Sequence, residues 1–288
     1  MEKNGARVIV VTDTSVVLNL GIANSRAGVK QLRKDRNCKR PKSPMRPHAP
    51  NKLDRAVKSV CSLLERKFGN PRLGNPTDPV DDLIFLILSN RTQAATAQKV
   101  YAALKTLRAS WNEVALLPKR TIARAIKRAG FASIRSAQIK GALQAMRKRF
   151  GTCRLDELRE WPEQEAHDFL VSLPGVSNKV AKCVMMYTLG FAVLPVDVHV
   201  FRVSTRLGWA SRSRADECHA DLEALVAPKL RYGFHVNCIA LGREFCRSAN
   251  PNCTACPISR FCVYSAQRTD EPVSQTKSNR SIRRDRRI

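Results

Sequence analysis

The chain has 288 residues, 43% of them hydrophobic, and a formal net charge of +27. That apolar content supports a real core, in one large or two small domains, and sets the chain apart from a wholly disordered one. The charge points to a polyanionic partner, nucleic acid being the common one, and with no run of about 18 apolar residues a membrane span is disfavoured.

In chain order, residues 1–50 read as a basic, disordered arm. Residues 7–23, RVIVVTDTSVVLNLGIA, are apolar and rich in β-branched side chains, but match neither a signal peptide nor a spanning helix. The stretch from Lys30 to Lys58 is dense in Lys and Arg and carries Pro41, Pro44, Pro47 and Pro50, a composition suited to touching phosphates without folding. From about residue 51 the apolar periodicity is helical, with no recurring alternation to suggest a sheet, so the expected class is all-α. A first helix over 52–68 places Leu53, Val57, Val60, Leu63 and Leu64 on one face. The next, over 80–90, is apolar nearly all round and is expected at the centre of a bundle. Further helices are expected over 92–107, 111–116, 119–129, 133–148, 155–159, 163–172, 178–189, 198–207, 214–226 and 234–245, with Gly130, Gly151, Gly190 and Gly208 at their ends. Residues 266–288 end in RSIRRDRRI and read as a second basic, disordered tail.

Three segments carry chemistry. In FLVSLPGVSNKVAKCVMMYTLG (169–190) a Leu-Pro-Gly-Val turn separates two helices, and the amides opening the second can hold a phosphate. Pro174, Gly175, Val176 and Ser177 are therefore candidate DNA contacts, although a Pro-Gly connector is also an ordinary helical hairpin. Lys179 falls in the first turn of that second helix, where the dipole destabilises an ammonium and favours the neutral amine needed for nucleophilic attack. Eighteen residues further on, Asp197 in LPVDVH stands at the N-cap of the next helix. Capping is its plain role. Facing Lys179, it would also stabilise positive charge on a sugar ring. Cys246, Cys253, Cys256 and Cys262 follow the spacing C-x6-C-x2-C-x5-C. Four thiols in one short loop read as a single metal site, and the spacing leaves zinc and an iron–sulfur cluster both open.

Together these motifs resemble the endonuclease III branch of the helix-hairpin-helix DNA glycosylases. The resemblance runs from about Asn51 to Tyr264 and includes LILSNRTQAAT (86–96), GFASIRSAQIKGA (130–142) and HVNCIALGREFC (235–246). It implies two α-helical domains flanking a DNA-binding cleft, one over 78–191 with six helices, the other joining 51–77 to 192–265. It also implies a [4Fe–4S] cluster on the four cysteines, serving structure or DNA docking. Lys179 then matches the family nucleophile and Asp197 its supporting carboxylate. The activity implied is glycosylase and abasic-site lyase action on duplex DNA carrying a damaged base, an oxidised pyrimidine being the expected substrate. The protein is expected to act as an intracellular, DNA-associated monomer, on the nucleoid in a bacterial source, with no membrane partner. Asn90, Arg91 and Thr92 would enter the gap left by a flipped nucleotide. His199 is a further candidate DNA contact, although packing suits it too, and Arg243, Arg247 and Arg260 would reach phosphates near the cysteine loop. Cys183, Cys218 and Cys238 are expected in the core.

The adenine-removing branch of the family places a glutamate near Leu86, and Leu83–Arg91 contains none. This favours the lysine-dependent bifunctional type over the adenine-removing one. The presence of both Lys179 and Asp197 argues against a non-catalytic DNA-binding protein, and a brown colour would dispose of a zinc-bearing nucleic-acid adaptor. Two departures stand out. Ser177 replaces the hairpin's usual second glycine, and if that backbone needs positive φ it costs about 1 kcal/mol. Arg91 replaces the usual glutamine, which bears on the base preferred opposite the lesion.

Overall fold

A computed structural model describes residues 50–210 and 214–269, all within one compact unit, Pro47–Ile288. The basic arm ahead of Pro50 and the tail from 270 onward lie outside the described residues. Among the described residues the secondary structure is helical, with no strand. The helices are α1 (Pro50–Phe68), α2 (Pro79–Ser89), α3 (Ala94–Lys105), α4 (Trp111–Leu116), α5 (Lys119–Ala125), α6 (Ala132–Phe150), α7 (Glu163–Ser172), α8 (Asn178–Val184), α9 (Val198–Arg206), α10 (His219–Leu225), α11 (Pro228–Glu244) and α12 (Val263–Thr269). None of them is long and apolar enough to cross a membrane.

The side chains form two hydrophobic cores. The first spans Val80 to Val193 and is centred on α2, whose residues from Leu83 to Leu88 are all buried. The start of α2 is fixed locally. Asp78 accepts hydrogen bonds from the amides of Val80 and Asp81, both at 2.9 Å, and Pro79 supplies the preset φ of a first helical residue. The second core joins Val57, Val60 and Leu64 of α1 to residues between Leu194 and Ile258. The chain passes from one core to the other between Val193 and Leu194.

Several boundaries differ from expectation. The helix expected over 119–129 breaks into α5 and a short 3-10 turn, Lys127–Ala129. The one expected over 178–189 becomes α8 followed by a π-helical segment, Met185–Leu189. α11 starts at Pro228 rather than near 234. Arg231 makes this early start possible by donating to the carbonyls of Glu223 (2.6 Å) and Val226 (3.0 Å), closing the end of α10 onto the new helix. α12 was not expected, and residues 266–269 belong to it rather than to a tail.

Candidate active site

The turn between α7 and α8 is built around Gly175, whose φ of +84° suits glycine. A Cβ there would also lie 2.8 Å from the Gln138 side chain of α6. Pro174 leans on Gly141 of the same helix, so the hairpin is braced against the first core. Ser177 corrects the expected strain. Its φ is −86°, ordinary extended backbone, and its hydroxyl accepts from the Val180 amide at 3.4 Å as the N-cap of α8. Val176 faces the core. Its side chain is buried and its amide donates to Leu173 O at 3.1 Å. The free amides of the turn are those of Gly175 and Ser177.

Lys179 follows in the first turn of α8, half-buried, its side chain without a hydrogen bond or ion pair among the described residues. Asp197 caps α9, its Oδ1 accepting from the amides of His199 (2.9 Å) and Val200 (2.8 Å). Lys179 and Asp197 come from opposite sides of the junction between the cores, and the charges of both reach Cys183 and His235. His235 is buried, which pushes its pKa down to about 4. Its Nδ1 donates to Pro195 O at 2.9 Å, leaving Nε2 to accept the Tyr187 hydroxyl at 2.6 Å. This chain of contacts ties the π-helical segment of the first core to the strand of chain just ahead of Asp197. π-Helical segments are frequent at functional sites, and Tyr187 lies in the middle of this one. Tyr187 also lines an open cavity of about 410 Å³ with Tyr232 and residues 72–77, including Asn75.

Three residues at this site went unnoticed in the sequence. Asp82 of α2 is fully buried, with Oδ1 accepting from Asn75 Nδ2 at 2.6 Å and Oδ2 without a partner among the described residues. Burial pushes its carboxyl up to about 7, against the opposing effects of the Asn75 hydrogen bond and the nearby Lys179 charge. Arg135 of α6 is 5% exposed and holds the turn after α2 in place. It donates to Leu88 O (3.0 Å), Thr92 Oγ1 (2.8 Å), Ala129 O (2.8 Å) and Asn90 O. The third is Phe131, 64% exposed, with a left-handed φ of +51° and its ring beside the Arg135 guanidinium. Arg135 thus links Phe131 to the turn that carries Asn90 and Arg91, both exposed, Arg91 with φ +55°. Apolar wedges of this kind unstack base steps in bent DNA.

His199 is half-buried where α9 crosses α11. Its Nδ1 accepts from Arg202 at 3.1 Å, and a Cβ on Gly242 would collide with its ring. Cys183, Cys218 and Cys238 lie in the cores.

Cys246, Cys253, Cys256 and Cys262 line one small cavity of about 20 Å³ beside Arg206, Phe245 and Tyr264. Among the described residues no three metal-binding side chains converge tightly enough for a single ion. Four thiols on one cavity match the ligand set of either zinc or an iron–sulfur cluster. Arg206 donates to Cys246 Sγ at 3.1 Å and to the carbonyls of Arg247 (2.9 Å) and Ser248 (3.2 Å). Arg202 adds a bond to Cys246 O at 2.7 Å. Two guanidinium groups of α9 therefore secure the first cysteine.

Residues 84–228 match the family model described as "HhH-GPD superfamily base excision DNA repair protein". Endonuclease III of Rickettsia prowazekii (strain Madrid E) is 31% identical over 186 residues, which cover 63% of this chain and 82% of that protein. The DNA glycosylase/AP lyase ROS1 of Arabidopsis thaliana is 27% identical over 194 residues, or 61% of this chain. The chain spans only 9 to 14% of the long plant proteins it matches. In fold it is similar to a trapped endonuclease III–DNA covalent intermediate, an estranged-adenine complex, with a TM-score of 0.66 and 23% identity over 75% of this chain and 98% of that one.

Proposed function

Because the chain belongs to the HhH-GPD superfamily of base excision DNA repair proteins and is endonuclease III-like, we propose that it is a bifunctional DNA glycosylase and abasic-site lyase that acts through Lys179. The observation that carries this reading is the free Lys179 side chain, coupled to the same buried groups as Asp197.

The target nucleotide must leave the stack, at a cost of a few kcal/mol. Phe131, Asn90, Arg91 and Thr92 would occupy the vacancy, while the Gly175 and Ser177 amides take a phosphate on the bent backbone. Lys179 Nζ then bonds to the deoxyribose C1′ as the glycosidic C–N bond breaks, its electron pair leaving with the base, which takes up a proton. Asp197 balances the positive charge developing at C1′. Nζ gives up a proton and the ring oxygen leaves C1′ protonated, so a Schiff base joins enzyme and sugar. Loss of a C2′ proton expels the 3′ phosphate and nicks the strand, and water later releases the lysine. An oxidised pyrimidine is the proposed base, the protein working as a monomer on DNA inside the cell.

The four cysteines would hold a [4Fe–4S] cluster. When bound, the cluster supplies a covalent cross-link between the end of α11 and the start of α12.

Borohydride trapping on duplex DNA bearing an abasic site, and separately an oxidised pyrimidine, tests the reading. Wild type is expected to form an adduct on both, and Lys179→Gln to lose it by at least about 1,000-fold. An adduct on the abasic site alone would keep the lyase and redirect the search to other bases. No adduct while binding persists would overturn the reading.

A further inference from the structure

We propose that Asp82 is the proton acceptor for Lys179, its buried carboxylate taking the ammonium proton so that the amine is free to attack; the inference rests on Lys179 being the nucleophile. The three acidic residues at the start of α2 divide their work. Asp78 caps the helix through two backbone amides. Asp81 accepts from Lys105 and from the Trp111 indole. Asp82 does neither. It sits fully buried ahead of six buried apolar residues, where a helix of this kind would ordinarily carry another Leu or Ile. A carboxyl there is costly to ionise and leaves Oδ2 without a donor, so it contributes nothing to stability that an apolar side chain would not.

Its surroundings give it a purpose. α2 packs directly against α8, and Lys179 is the cation whose charge reaches Asp82. The other titratable groups coupled to it are Cys183 of α8, Tyr187 of the π-helical segment and Tyr101 of α3. Burial holds all three protonated, so none competes for the lysine's proton. Asn75 fixes the carboxyl through Oδ1, which leaves Oδ2 to receive. Asp197, by contrast, has Oδ1 committed to two amides of α9.

The step is a simple transfer. One proton moves from Nζ to Oδ2, the N–H electron pair stays on nitrogen, and the neutral pair replaces the ion pair. The proton returns to Nζ when hydrolysis of the Schiff base regenerates the free lysine. An ordinary aspartate would be a poor acceptor, because it lies more than six pH units below lysine by reference values, about 3.9 against about 10.4. With the carboxyl held up at about 7, transfer is easier by about 1,000-fold.

Single-turnover strand scission at an abasic duplex, followed with the full chain from about pH 5 to 9, separates this role from a packing role. In wild type the rate is expected to rise with pH through an inflection near 7. Asp82→Asn is expected to remove that inflection and to lower the rate at neutral pH by about 100-fold. Asn75→Ala, which takes away the hydrogen bond favouring the ionised carboxyl, is expected to move the inflection to higher pH. An Asp82→Asn profile like that of wild type, or one lowered equally at every pH with the inflection kept, would overturn the proposal. An unmoved inflection in Asn75→Ala would do the same. Cleavage by Lys179→Gln at the wild-type rate would instead overturn the reading of Lys179, and this inference with it.

Discussion

Arg135 and Asp82 are both charged residues buried in the first core, and the protein treats them in opposite ways. Arg135 reaches four oxygen acceptors in two turns, and its hydrogen bonds hold Asn90, Thr92 and Ala129 in fixed positions. Asp82 has one donor on one oxygen and none on the other. A buried ionic group with its partners in place is scaffold. One left short of partners stores free energy that chemistry can draw on. The rim that would meet DNA is therefore rigid by construction, while the pocket beneath it is electrostatically strained.

The comparison can be broken most severely at Arg135. Arg135→Met removes the guanidinium donor shared by the carbonyls of Leu88, Asn90 and Ala129, and is expected to cost about 4 kcal/mol in urea denaturation. A loss below about 1 kcal/mol would mean that the rim holds itself together without the guanidinium.

At Asp82 the expected effect has the opposite sign and depends on pH. Its folded-state pKa of about 7 lies above the ordinary carboxylate value, so the folded chain holds the proton more tightly than the unfolded one. The stability this confers is complete below about pH 4 and is lost as pH rises through 7, a swing of about 4 kcal/mol. Asp82→Leu should abolish that slope, gaining on wild type as pH rises from about 4 to 7. Parallel stability curves for the two proteins would show that Asp82 carries no stored strain. His235 opposes this trend, because its lowered pKa adds stability above about 6.5 that disappears as pH falls toward 4. The Asp82 slope is therefore read most cleanly with His235 unchanged in both proteins.

The smallest effect is expected at the hairpin. Ser177→Gly exchanges one good N-cap for another at a φ that needs no glycine, and should change stability by only about 0.3 kcal/mol. A gain above about 1 kcal/mol would show that the serine is strained after all.

These residues also mark how far the chain could be read before its structure was known. Lys179, Asp197 and the four cysteines belong to compact motifs, so their positions are visible in short windows of sequence. The helical class follows in the same way from local periodicity. Asp82 was hidden by an ordinary disguise, since acidic residues in a first helical turn normally answer the dipole. Only the packing of α2 against α8 shows that this one points inward. Arg135 lies in a quoted motif, but its partners Leu88, Asn90 and Thr92 are more than 40 positions away, and no local pattern records that contact. The opposite error occurred at Ser177, where a departure from the family pattern suggested strain that the backbone does not carry.

The contact between Tyr187, His235 and Pro195 makes the seam between the two cores behave as a latch. Its closure depends on a single lone pair, that of His235 Nε2, facing a hydroxyl. Once that nitrogen is protonated, the ring has two donors, and the Tyr187 hydroxyl loses its acceptor. Acid would then loosen the seam beside Asp197 at this one contact, while the Lys182–Glu223 ion pair at 2.6 Å still spans the two cores.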